Sequence, residues 1–163
     1  MMRRLIKTTV MAVIAMIAFC TAADAQEWAY QGDYSEGLAC VKDQNGKWGF
    51  IDEQGKLVGQ MWRSVKYFQE GLGAVETEDE YWGFVDKTGK LVIPCKYRAA
   101  AWFNEGLSAV TEDYNSYGYI DKEGNVAIPF NYKNAYSFQN GKAKVQDENR
   151  EWRKIDKTGQ FVE

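Results

Sequence analysis

Five positions recur in register four times along this chain, and that periodicity limits the fold more than any single motif. Gly37, Gly71, Gly106 and Gly141 stand 34, 35 and 35 residues apart. Eleven residues after each comes an aromatic residue: Trp48, Trp82, Tyr117 or Trp152. Four residues further stands Asp52, Asp86, Asp121 or Asp156, and three beyond that Gly55, Gly89, Gly124 or Gly159. Three residues ahead of each first glycine lie Tyr34, Phe68, Phe103 and Phe138. A repeat of this length is one supersecondary unit, which buries its apolar face only against a neighbouring copy. The repeats fall at about 34–67, 68–102, 103–137 and 138–163.

Each unit reads as three short strands. The first is Gly71 to Val75 in the second copy; a polar connection, Glu76 to Tyr81, follows, and Trp82 to Asp86 forms the second. An Asp-x-x-Gly turn leads to the third strand, Lys90 to Ile93, which Pro94 is expected to stop. The segment from Cys95 to Glu105 carries Tyr97, Ala100 and Phe103, a spacing that suggests a compact turn or one helical turn on the sheet. No segment has the length and period of an amphipathic helix. Strand alternation puts Trp82, Phe84 and Asp86 on one face and Gly83 and Val85 on the other. Both faces are apolar, as suits strands covered on both sides by adjacent units. Leu72, Val75, Trp82, Phe84, Val85, Leu107, Val110 and Ile120 are the expected core.

The last copy departs from the others. Lys142, Lys144 and Lys154 replace a leucine, an alanine and a phenylalanine on one face, and Arg153 replaces the strand glycine. A unit with no successor needs a polar outer face. The fold class expected is therefore all-β, four tandem three-stranded units of about 35 residues forming an open, solenoid-like array. A barrel or small propeller is the closed alternative. It would bury those lysines against the first unit.

These residues resemble the WG-repeat family of bacterial proteins. The matching strings are Lys47 to Asp52, Tyr81 to Pro94 and Tyr117 to Gly124, together with the Phe-x-Glu-Gly-Leu-x-Ala-Val runs Phe68 to Val75 and Phe103 to Val110. The resemblance extends from Tyr34 to the end of the chain. It implies an all-β repeat protein, usually exported or envelope-associated, with no shared catalytic residues to carry over. Tyr117 in place of Trp and Arg153 in place of Gly are this chain's departures.

The N-terminus reads as a secretory leader. Arg3, Arg4 and Lys7 precede an apolar stretch from Val10 to Phe19, and Ala23 and Ala25 supply the small residues a signal peptidase requires. Cleavage is expected before Gln26, leaving a domain of residues 26–163 in the periplasm or outside the cell. A retained N-terminal anchor and lipoprotein processing at Cys20 are the weaker readings. Residues 1–25 hold three of the chain's 20 basic residues and one of its 23 acidic ones, so the mature part stays acidic. That balance gives no electrostatic reason to bind nucleic acid. Cys40 and Cys95 survive cleavage and read either as a disulfide or as two small buried hydrophobes.

The chain has no histidine, which removes the commonest general base and metal ligand. The repeated aspartates each stand alone in their turn, so they read as turn formers rather than calcium ligands. The acidic run Glu76, Glu78, Asp79 and Glu80 lies on one connection, not across a cleft as glycoside hydrolysis requires. We expect no enzyme, no catalytic residues, no metal and no cofactor. Aromatics that the repeat does not demand, above all Tyr67, Trp102, Tyr81 and Tyr136, are the candidate ligand-binding residues. Tyr67 and Trp102 occupy equivalent positions in their units. Two roles stay open: a protein-interaction module of the envelope or extracellular space, or a carbohydrate or cell-wall binding module. Neither involves membrane insertion after leader cleavage.

Overall fold

The computed structural model describes residues 27–163. The expected leader and its expected cleavage point before Gln26 lie outside the described residues. Sixteen strands and no helix make up the described chain. They form four antiparallel sheets, each a four-stranded meander in chain order. Sheet one holds β1 (Tyr30–Ser35), β2 (Leu38–Lys42), β3 (Trp48–Asp52) and β4 (Leu57–Trp62). Sheet two holds β5 (Ser64–Val65), β6 (Leu72–Glu76), β7 (Trp82–Asp86) and β8 (Leu91–Tyr97). Sheet three holds β9 (Ala99–Ala100), β10 (Ser108–Thr111), β11 (Tyr117–Ile120) and β12 (Val126–Tyr132). Sheet four holds β13 (Asn134–Ala135), β14 (Lys142–Gln146), β15 (Trp152–Asp156) and β16 (Phe161–Val162). Among the described residues no strand of sheet one pairs with sheet four, so the array is open.

Two local expectations are corrected. The segment after Pro94 contains no helical turn: β8 runs on to Tyr97, and the two-residue β9 adds a fourth strand to the next sheet. Pro94 does not stop its strand because β8 is a sheet edge, where a missing N–H breaks no ladder bond. The strand glycine next to it explains the local geometry. A Cβ on Gly83 would stand 2.6 Å from the Ile93 carbonyl oxygen and 2.8 Å from the Cys95 nitrogen. The pairing register shifts just there, between Trp82 and Phe84. Gly118 meets the Ile128 carbonyl at 2.7 Å in the same way. Arg153 is tolerated in the last unit because β16 ends at Val162, before the bulged half of such a strand begins.

Each tight turn is held by its aspartate. Asp86 Oδ1 accepts the amides of Thr88 at 2.9 Å and Lys90 at 3.1 Å, and Asp52, Asp121 and Asp156 do the same in their units. The turn glycine also joins neighbouring sheets. Gly89, at φ +81°, would place a Cβ 2.5 Å from the Gly59 Cα of sheet one, so only glycine fits.

The sheets stack through opposite faces. The face each sheet turns to its successor carries Leu72, Ala74 and Phe84 in sheet two, packed against Phe103, Val110 and Ile120. The other face carries Val75 and Val85, packed against Leu38, Phe50 and Phe68. At every junction an aromatic from the incoming unit meets one from the sheet before it edge-on: Phe68 on Phe50, Phe103 on Phe84 and Phe138 on Tyr119, at 4.7, 4.8 and 4.9 Å. The expected core residues are buried except Trp82, which is half-buried. Its ring lies at the margin of the cluster with the Lys66 ammonium over it at 4.7 Å.

A charge ladder runs across the same junctions. Glu36 accepts the Gly71 amide at 2.8 Å and pairs with Lys87 at 3.2 Å. Glu70 accepts the amides of Glu105 and Gly106 at 2.6 and 2.9 Å and pairs with Lys122 at 3.4 Å. Glu105 accepts the Gly141 amide at 2.9 Å and pairs with Lys157 at 3.3 Å. Among the described residues no sheet follows the fourth unit, which carries Asn140 where the others carry glutamate. Among them none precedes the first unit, which carries Glu53 where the others carry lysine. Both ends of the array thus lack the half of the ladder they cannot use.

Candidate binding surface

The short strands β5, β9 and β13 each hand over to an exposed stretch, and these stretches lie along one edge of the array. Tyr67 and Trp102 are 44% and 36% exposed and stack on each other at 4.9 Å, with their planes 24° apart. Tyr136, 57% exposed, lines a shared groove with Trp102, Tyr117 and Lys66. It also packs against Trp152 at 5.2 Å. On the other side of the stack, Tyr67 borders a depression with Tyr30 and Tyr34. Three of the four candidate aromatics therefore fall on one continuous surface, which reaches from sheet one to sheet four.

Tyr81 is set apart. It is half-buried beneath the Arg98 guanidinium, 4.0 Å from its ring centroid, and lines neither depression. Sequence reasoning did not single out Lys66 or Trp152 as site residues. Trp152 is 40% exposed, and among the described residues no further sheet covers its unit.

Lys66 gives the edge a fixed cation. Its ammonium donates to the Ala100 carbonyl at 2.6 Å and lies 4.7 Å from the Trp82 ring and 5.3 Å from the Trp102 ring. Burial lowers its pKa, because desolvation disfavours the charged form, and Glu76 opposes that shift. The edge ends on the outer face of sheet four. There Lys142, Lys144 and Lys154 are exposed, and the Lys144 ammonium stands 5.0 Å from the Trp152 ring.

The other titratable groups are used locally. Arg63 spans Glu76 and Glu80, both at 2.8 Å, and Lys47 pairs with Glu78. Cys40 and Cys95 are free and half-buried, both bordering the core between sheets one and two. Burial pushes the Cys40 thiol up to about 11 and raises that of Cys95 as well. Among the described residues no group of three or more Cys, Asp or Glu could hold a metal ion. No helix among them is long and apolar enough to cross a membrane.

The sequence matches the model of the WG containing repeat at residues 28–48, 48–81, 82–115 and 117–150. The chain belongs to the WG-repeat family. No curated protein matches the WG-repeat chain. Among solved structures it is similar to the computationally designed Ika4 protein, with 11% identity and a TM-score of 0.51 over 76% of this chain and 87% of that one. It is also similar to the computationally designed Ika8 protein, with 12% identity and a TM-score of 0.50 over 80% of this chain and 46% of that one. At such identities the likeness concerns the fold alone.

Proposed function

We propose that this WG-repeat protein is an exported, non-catalytic protein-interaction module whose partner docks along the aromatic edge. The leader pattern before Gln26 supports export to the periplasm or beyond. The stacked Tyr67–Trp102 pair carries the docking assignment, because large aromatics held rigidly at a surface are the usual anchors of protein interfaces. Lys66 and Tyr136 extend the pair into a surface with an apolar centre and a charged margin. A carbohydrate ligand fits less well. A sugar ring stacks on an open aromatic face, and Tyr67 already occupies one face of Trp102.

The test is cross-linking of the tagged chain in the envelope of its native host, with and without excess cell-wall glycan. A single protein captured by the native chain, lost with Trp102→Ala or Tyr67→Ala and indifferent to glycan, is the expected result. Capture abolished by glycan would transfer the edge to a carbohydrate ligand.

A further inference from the structure

The outer face of sheet four is more than a polar cap. In sheets one to three the corresponding positions hold Leu38, Cys40 and Phe50; Leu72, Ala74 and Phe84; and Leu107, Ala109 and Tyr119. Sheet four has a lysine at all three, in a chain whose net charge is -3. Capping requires only polarity, which serine, glutamine or mixed charges would supply. Instead Lys144 and Lys154 stand directly opposite each other across β14 and β15. Like charges in that relation destabilise the pair. Among the described residues neither has a carboxylate within ion-pair distance, whereas Lys87, Lys122 and Lys157 all do.

The three internal junctions show what this face of a sheet accommodates: a protein unit whose turn brings a lysine to a glutamate. Sheet four differs on both counts. Asn140 offers no anion to an incoming lysine, and the face itself is cationic. The depression there has a volume of about 770 Å³ and is lined by Tyr136, Asn140, Lys142, Lys144 and Lys154 among others. Tyr136 and Trp152 join it to the aromatic edge.

We infer that this face is a docking surface for an acidic segment of a partner protein, whose carboxylates sit between Lys144 and Lys154. The same charges exclude a further unit of this chain's own kind. The inference rests on the interaction-module reading and adds the partner's chemistry to it.

The test is titration of the isotope-labelled full chain with a synthetic peptide of alternating glutamate and tyrosine, followed by amide NMR. Resonances of Lys144, Trp152 and Lys154 are expected to move. Lys144→Glu/Lys154→Glu should weaken binding at least about tenfold, as like-charge contacts do at interfaces. Lys56→Glu/Lys90→Glu, with the same change in net charge elsewhere, should leave it within about twofold. The amide spectrum also reports whether each variant is folded, and Lys144→Gln/Lys154→Gln should weaken binding to an intermediate degree. Equal loss in the control, no movement at the lysines, or polygalacturonate binding there more tightly than the peptide would each overturn the inference. Envelope capture lost with Trp102→Ala but kept with Lys144→Glu/Lys154→Glu would remove the acidic-partner assignment and leave the aromatic edge standing.

Discussion

The Glu70 carboxylate accepts the backbone amide of Glu105, 35 residues downstream, at 2.6 Å. It accepts the next amide, that of Gly106, at 2.9 Å. One glutamate thus fixes the turn of the following unit from outside it. Carboxylate-to-amide bonds are charge-assisted and stronger than neutral ones. Lys122 then closes the arrangement by donating to the Glu70 carbonyl at 2.9 Å.

Removing this link should loosen one junction in the middle of the stack. Glu70→Ala is expected to lower stability by about 1–2 kcal/mol, within the range for hydrogen bonds to a charged group at a partly exposed site. Asn140→Ala, at the equivalent position, shares the backbone strain of alanine at φ +54° but breaks no such bond, so it should cost less than Glu70→Ala by about 1 kcal/mol. Urea unfolding of the two variants measures both. Equal losses would mean that the ladder contributes nothing specific.

Acid should weaken the same junctions. The bond from the Gly141 amide, with help from Lys157, holds Glu105 below the ordinary 4.5. Burial pushes Glu36 up, but the Gly71 amide and Lys87 outweigh it and its pKa is also lowered. A carboxylate with a depressed folded pKa stabilises the fold above its unfolded value, and that contribution fades as pH falls through the folded value. Urea midpoints should therefore drop between about pH 5 and 3, and Glu105→Gln should reduce the slope in that window. An unchanged slope would show that Glu105 contributes no pH-dependent stability.

The strand glycine sets a second contrast. Gly83→Ala drives a methyl group into the backbone of Ile93 and Cys95 and should cost about 2–3 kcal/mol, in the range of overpacked cores. Arg153→Gly should cost under about 1 kcal/mol, since its side chain lies on the surface over the Phe161 ring. Thermal unfolding compares them. A neutral Gly83→Ala would contradict the close approach of β8 to β7.

The period, the strand faces and the three lysines on one face were legible in the sequence, because a repeat states each position four times and strand alternation assigns its side. The aspartate turns were legible for the same reason. The fourth strand was not: Ser64–Val65 is too short to show alternation, and Pro94 reads as a stop until its strand is known to be an edge. Glu70 and Lys122 are 52 residues apart, and no local rule pairs them. The half-exposure of Trp82 was hidden because recurrence was taken to mean burial, whereas the residue recurs at a strand end under a lysine. Tyr81 and Tyr136 look alike as surplus aromatics. Only the stacking of sheets shows that Tyr136 joins Trp102 and that Tyr81 does not.

The central claim is that the array is open and that the first unit does not cover the lysine face of sheet four. Competitive acylation of the purified full chain, read by mass spectrometry, tests this most directly. Lys144 and Lys154 should react about as fast as Lys56 and Lys90, which are also exposed, while Lys66, bonded to the Ala100 carbonyl, should lag behind. Protection of Lys144 and Lys154 to the level of Lys66 would mean that sheet four is covered by the first unit, and that the open array is wrong.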